Sequence, residues 1–332
     1  MKVSIIITSY NEKEYLIQAI ESCLSQDYKG DYEIIISDDG STDGSVEILK
    51  EYIDSYPGKI KGVFDKRDDG VEFLEYRESN CRERGINISS GDYLMILDGD
   101  DLVAPNKLSV QAEFLDNNPK YVACYTDFEW FWDDGRRLLT KFNYSEINSV
   151  LLWSKIYIHL SSFLFRRSVI SNFIPRFIND NMAVRSILKT GRVYHIPGVT
   201  FKYRQRNESL WHTYDELEKD ITTVVALQAA IDSNWFYCSS LSKYRNSLNY
   251  VFDKRIELDN EKYQRYFYYL SDYEGHLLST IRNYSELRVL KKYKFNIVKI
   301  QSILCGFFFA AAKRFFEIFN RKSISITENI GI

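Results

Sequence analysis

Three aspartates, Asp98, Asp100 and Asp101, are separated only by Gly99 and follow a short apolar run, Tyr93-Leu94-Met95-Ile96-Leu97. Carboxylates crowded at a strand's end repel one another and lose hydration, a strain that a cation relieves. Hard oxygen donors favour Mg²⁺ or Mn²⁺, and an ion held this way usually also takes a ligand's phosphates. Read alone, the tetrapeptide is equally a solvated turn in which Asp101 caps a helix over residues 102–115.

Three further clusters fall where strands should end. Thr8-Ser9-Tyr10-Asn11-Glu12 brings hydroxyls, an aromatic ring and a carboxylate to a helix start, where Ser9 or Asn11 can also serve as cap. Asp38-Asp39-Gly40-Ser41-Thr42-Asp43-Gly44 has glycines that permit tight turning and carboxylates able to accept from a base N–H or ribose hydroxyls. As an isolated loop it is equally a capped turn. Asn179-Asp180-Asn181 stands ahead of a helix, with Arg204 and Arg206 downstream.

The elements that must position these clusters alternate. Strand-like runs cover residues 3–8, 32–37, 60–64 and 93–97, and helical spacing covers 12–26, 45–56 and 75–88. Near-continuous apolar strands alternating with helices predict an α/β fold, a Rossmann-like, mostly parallel sheet flanked by helices. Such sheets bind ligands at their strands' carboxyl ends, where the acidic turns fall. From residue 121 the pattern changes to two strands around a turn (121–132 and 136–142), then a strand at 161–165, a helix at 181–189 and strands at 192–196 and 200–203. After about residue 213 the signal is helical, without a catalytic-looking cluster.

Composition narrows the classes. A net charge of −3 over 332 residues gives no electrostatic case for a nucleic-acid partner. The five cysteines are widely spaced and lack a CxxC pair, so neither a disulfide framework nor a zinc site is expected. A reducing cytoplasmic setting fits them. The start, Met1-Lys2 before an apolar run at 3–7, lacks the long apolar core of a secretory leader. No stretch of about 20 uninterrupted apolar residues predicts a membrane span.

Taken together, Val3–Glu12, Ile34–Asp43 and Ser90–Asp101 resemble, in order and spacing, the family 2 glycosyltransferases, inverting sugar transferases of the GT-A fold. The resemblance is strong over residues 1–130 and weaker to His212. It implies a GT-A domain over 1–212, with a nucleotide-binding half (1–100) and an acceptor-binding half (101–212), and a helical C-terminal region at 213–332. Thr8, Tyr10 and Glu12 match positions that hold base and ribose, and Asp39 the acid that binds the base, with Asp38 beside it. Arg77 and Arg82 match nucleotide contacts in the helix before the acidic strand. The family's Ala-Arg-Asn-x-Gly reads Cys81-Arg82-Glu83-Arg84-Gly85 here, without the Asn. Asp98 and Asp100 match the DxD pair that binds metal (Mn²⁺ or Mg²⁺) and donor, and His212 a further metal or phosphate ligand. Asp180 matches the catalytic base, although Asn179 replaces the usual preceding Glu.

The resemblance further implies a nucleotide-diphosphate sugar donor, UDP or dTDP, in bacterial surface-polysaccharide synthesis. Its acceptor would be a hydroxyl of a saccharide or lipid-linked oligosaccharide. Two rivals are weighed against it. A nucleotidyltransferase would need a Gly- and basic-rich loop after the first strand, which Thr8–Glu12 lacks. A catalytically inactive sugar-nucleotide or lipid-binding scaffold is left open by Asn179. His195 is expected as a core strand position, and His159 and His276 carry no signal. Residues 295–320 read either as an amphipathic helix at the inner-leaflet surface, flanked by basic residues, or as a core or homo-oligomer helix.

Overall fold

Strands β1 (Val3–Ser9) and β2 (Tyr32–Asp38) are buried along their whole length, which explains why Ile5-Ile6-Ile7 and Ile34-Ile35-Ile36 show no polar alternation. Both faces of this part of the sheet are covered. The structure, a computed structural model, describes residues 1–65, 74–143, 145–147, 158–172 and 180–206, all within one compact unit of the chain. The expected helical region at 213–332, His212 and the segment 295–320 lie outside the described residues.

Helix α1 (Lys13–Leu24) follows β1 and buries Leu16, Ala19, Ile20 and Cys23, the stripe its sequence spacing predicts. Then come α2 (Ser45–Ser55), β3 (Ile60–Phe64), α3 (Leu74–Ile88) and β4 (Tyr93–Asp98). The order β3-β2-β1-β4 is parallel throughout, so these four strands end on one edge. Gly85 lets α3 lie against β1, because a Cβ there would meet the Ile6 side chain at 2.5 Å.

The chain beyond β4 departs from one expectation. Residues 102–115 are not a single helix. Leu102–Val103 forms a short strand, β5, and α4 (Lys107–Asn117) begins only after Pro105. Proline disfavours helical geometry in the residue before it, which separates the two elements. Gln26 accepts from the Leu108 N–H at 3.0 Å, serving the start of α4 from a distance.

The rest of the sheet is mixed. It contains β6 (Tyr121–Phe131), β7 (Arg137–Thr140), β8 (Glu146–Ile147), β9 (Phe163–Arg166) and β10 (Arg192–Arg204), with α5 (Asp180–Thr190) before β10. β9 runs antiparallel to both β4 and β6, and β6 runs parallel to β10. The two runs expected at 192–196 and 200–203 are one strand with an irregularity between Ile196 and Val199. Asp127 holds it, accepting from Gly198 N–H at 3.0 Å, Phe142 N–H at 2.9 Å and the ring of buried His195 at 2.8 Å. His195 is therefore a structural core residue. No helix among the described residues is long and apolar enough to cross a membrane.

One buried charge has a measurable consequence. Lys107 is fully buried, donates to the Ser162 carbonyl at 3.2 Å, and burial pushes its amine from 10.5 down to about 7. The unfolded chain then binds the extra proton between these values, so this group's share of stability rises with pH across that window. Lys107→Met, which leaves Gln111 donating to the same carbonyl at 3.0 Å, should raise Tm near pH 6.5. Its advantage should shrink toward pH 10, and a constant difference across the range would contradict the burial account.

Candidate active site

Two loops at the carboxyl edge are laced together. After β1, Asn11 takes a left-handed conformation (φ 51°) and donates its N–H to Ser41 Oγ at 2.8 Å, while its side chain accepts from Thr42 N–H at 2.8 Å. Lys13 N–H donates to Asp43 at 3.0 Å, and Asp39 N–H donates to the Ser9 carbonyl at 2.9 Å. Asp38 is buried and accepts from the Gly40 and Ser41 N–H groups and the Ser41 hydroxyl, contacts internal to its own loop. Asp39 faces the edge instead, gripped by Arg84 at 3.0 Å, and Arg84 also reaches Asp65 at 2.9 Å. Arg84 is a contact that the sequence motif, with its lost Asn, did not single out. Tyr10 stands at the bend after β1. Arg77 lies near the start of α3, its side chain outside those described.

The aspartate turn divides its acids among different partners. Asp98 receives the Thr8 hydroxyl at 3.2 Å and lies 3.5 Å from Arg82. Buried Arg82 also pairs with Asp180 at 2.8 Å, so one guanidinium joins the end of β4 to the start of α5. Asp180 lies in the first turn of α5, where the helix dipole favours a carboxylate. Asp100 and Glu12 share Arg206, at 2.6 and 2.7 Å, and the Arg206 guanidinium stacks over Tyr15. Gly99 allows that approach, since a Cβ there would lie 2.9 Å from the Glu12 carboxylate. Asp101 is fully buried and accepts from the Arg204 N–H at 2.9 Å, tying the turn to β10.

Burial, and next the Asp100 charge, hold Glu12 well above the ordinary carboxyl range. Burial also raises Asp100, with Arg206 pulling against it, and raises Asp101 further through Asp100 and Asp98. This excess of poorly hydrated acid is the electrostatic setting that a divalent cation relieves, so the donor set fits one. The ligand-type atoms of Asp98, His159 and Asp180 lie within 4.8 Å of one another. A cation on Asp100 would share that carboxylate with Arg206.

His159, which carried no sequence signal, is placed here by topology. Because β9 runs against β4, the turn entering β9 sits beside the end of β4. An antiparallel reading of residues 161–165 would have brought His159 to the same edge.

Comparison with known proteins identifies the family and the fold. Residues 4–173 match the family described as Glycosyl transferase family 2. An uncharacterized protein of Mycobacterium tuberculosis is 27% identical over 220 residues, covering 64% of this chain and 61% of the relative's own length. An uncharacterized glycosyltransferase of Haemophilus influenzae is 39% identical over 116 residues, 35% of this chain and 43% of that protein. The chain therefore spans less than two thirds of these relatives. Among solved structures, S. aureus TarS in complex with UDP-GlcNAc superposes with a TM-score of 0.57 at 16% identity, covering 82% of this chain and 80% of that one. That likeness establishes the shared α/β GT-A fold. With the family match spanning more than half of its residues, the chain belongs to glycosyl transferase family 2.

Proposed function

We propose that this protein transfers a sugar from a nucleotide-diphosphate donor to an acceptor hydroxyl with inversion at the anomeric carbon. The observation that carries the reading is the convergence of Asp39, Asp98 and Asp180 on one sheet edge, Asp98 and Asp180 sharing the Arg82 guanidinium. Thr8, Tyr10, Glu12 and Asp39 would hold base and ribose, with Arg84 fixing the Asp39 carboxylate. Arg77 and Arg82 complete the nucleotide side of this reading.

Asp180 would accept the proton of the acceptor hydroxyl as that oxygen attacks the anomeric carbon. The bond to the diphosphate oxygen breaks on the opposite face, and the leaving nucleoside diphosphate carries the electron pair away. One displacement inverts the centre, so an α-linked donor gives a β-linked product. Mn²⁺ or Mg²⁺, held by Asp98 and Asp100, with His212 as a further candidate ligand, would supply charge to offset the departing diphosphate. UDP is the preferred nucleotide, supported by the fold shared with the UDP-GlcNAc complex of TarS. A dTDP-sugar fits the same chemistry. The acceptor class follows the family resemblance, a growing surface polysaccharide or lipid-linked oligosaccharide, reached at the inner leaflet if residues 295–320 bind there.

The testing experiment is nucleoside diphosphate release from a panel of UDP-, dTDP- and GDP-sugars, with and without divalent cation. Release that persists undiminished in EDTA would remove the metal from the reading.

A further inference from the structure

We propose that His159 is a positioning residue whose Nε2–H orients the carboxylates of Asp98 and Asp180, and that it does not ligate the metal. The inference rests on the reading of Asp180 as base and adds the group that aims it.

The geometry starts from the turn before β9. His159 Nδ1 accepts the Ser161 backbone N–H at 3.2 Å, so that nitrogen presents a lone pair. A neutral imidazole accepting at Nδ1 carries its proton on Nε2. Nε2 faces Asp180 Oδ2 at 3.7 Å and Asp98 Oδ2 at 4.0 Å. These separations are just longer than a hydrogen bond, as catalytic contacts often are before substrate tightens the site. To bind a cation, Nε2 would have to lose that proton to Nδ1, where the Ser161 N–H already points, setting two donors against each other.

The ring has little freedom to reorganise. It is buried, with the Tyr203 and Phe201 rings 4.4 and 4.9 Å away. The Ser162 hydroxyl donates to the His159 carbonyl at 2.7 Å, and Lys107 and Gln111 hold the Ser162 carbonyl from α4. Arg82 approaches the same two carboxylates with a formal charge, at 2.8 Å from Asp180 and 3.5 Å from Asp98. Arg82 therefore supplies charge to the pair and His159 supplies direction.

Two near-isosteric substitutions separate the roles of the ring nitrogens. In His159→Asn the amide oxygen replaces Nδ1 and keeps the Ser161 bond, but residue 159 no longer brings a donor to the carboxylates, which keep Arg82 and, for Asp98, Thr8. In His159→Gln the amide nitrogen falls near the Nε2 position, and the Ser161 bond is lost. We expect His159→Asn to lower kcat by about 10- to 100-fold, the usual cost of removing such an orienting partner. The donor KM, and the affinity for Mn²⁺ titrated alone, should stay within about twofold, the sign that ground-state binding is intact. His159→Gln should keep kcat within about fivefold of the wild type, a partial rescue by the retained donor.

Wild-type kcat in His159→Asn, or a better-preserved kcat in Asn than in Gln, would show that the ring only anchors its turn and would overturn the proposal. Loss of Mn²⁺ affinity in His159→Asn would overturn it in favour of ligation. Should His159→Asn fail to fold by circular dichroism, His159→Gln decides alone: retained kcat supports the proposal and lost kcat overturns it. Asp180→Asn, run in parallel, separates the two levels. Wild-type turnover there sinks the base assignment, whereas a dead Asp180→Asn beside a fully active His159→Asn sinks only this inference.

Discussion

Asp180→Asn should reduce sugar transfer by about 10²- to 10⁴-fold, the contribution expected of a general base. Nucleotide affinity, measured by calorimetry with Mn²⁺ present, should change little. The amide keeps the shape of the carboxylate, and Arg82 retains Asp98 as a partner. What disappears is the carboxylate proposed to take the acceptor's proton. Because donor binding and proton removal are assigned to different residues, the effect should fall on kcat and spare the donor KM. Equal losses in both parameters would assign Asp180 to donor binding instead.

Arg82→Met should be the most disruptive single change to the fold around the site. The guanidinium is buried and answers two carboxylates, from β4 and from α5. Removing one member of a buried ion pair leaves uncompensated charge and typically costs about 3–5 kcal/mol. Thermal denaturation should show that loss as a fall in Tm on the order of 10 °C, given the usual conversion for a domain of this size. Arg82→Lys should recover only part of it, because a point-charge ammonium does not span two carboxylates as the planar fork does. A Tm unchanged in Arg82→Met would mean that α5 is held to the sheet without this ion pair.

Much of the N-terminal half was legible because its signals are local. The triple isoleucines of β1 and β2, and the spacing of Leu16, Ala19, Ile20 and Cys23, are direct consequences of burial on two faces and one stripe. The acidic turns were visible because they interrupt those runs. Residues 102–115 misled because apolar positions at helical spacing continue through them, while Pro105 and the pairing of Leu102–Val103 with β10 decide the local structure. That pairing is long-range and leaves no periodic trace.

The same reason hid His159 and the use of Arg84 and Arg206. Each acquires its role from a partner distant in sequence: Asp98 and Asp180, Asp39, or Glu12 and Asp100. The arginines near 204–206 were noticeable, but that β10 ends on the same edge as β1 and β4 follows only from the strand order. Asp101 shows how a motif's members diverge. Beside two acids that face partners from other elements, it is sealed away and ties its turn to Arg204.

The central claim, that this edge moves a sugar from a nucleotide donor, is tested most directly by measuring nucleoside diphosphate release. Wild-type protein and Asp180→Asn would each be offered UDP-, dTDP- and GDP-sugars with Mn²⁺, with Mg²⁺ and with EDTA. The account predicts release from one nucleotide class by the wild type, dependent on the cation and lost in Asp180→Asn. Release from none of the donors under any cation, or equal release by the two proteins, would contradict it.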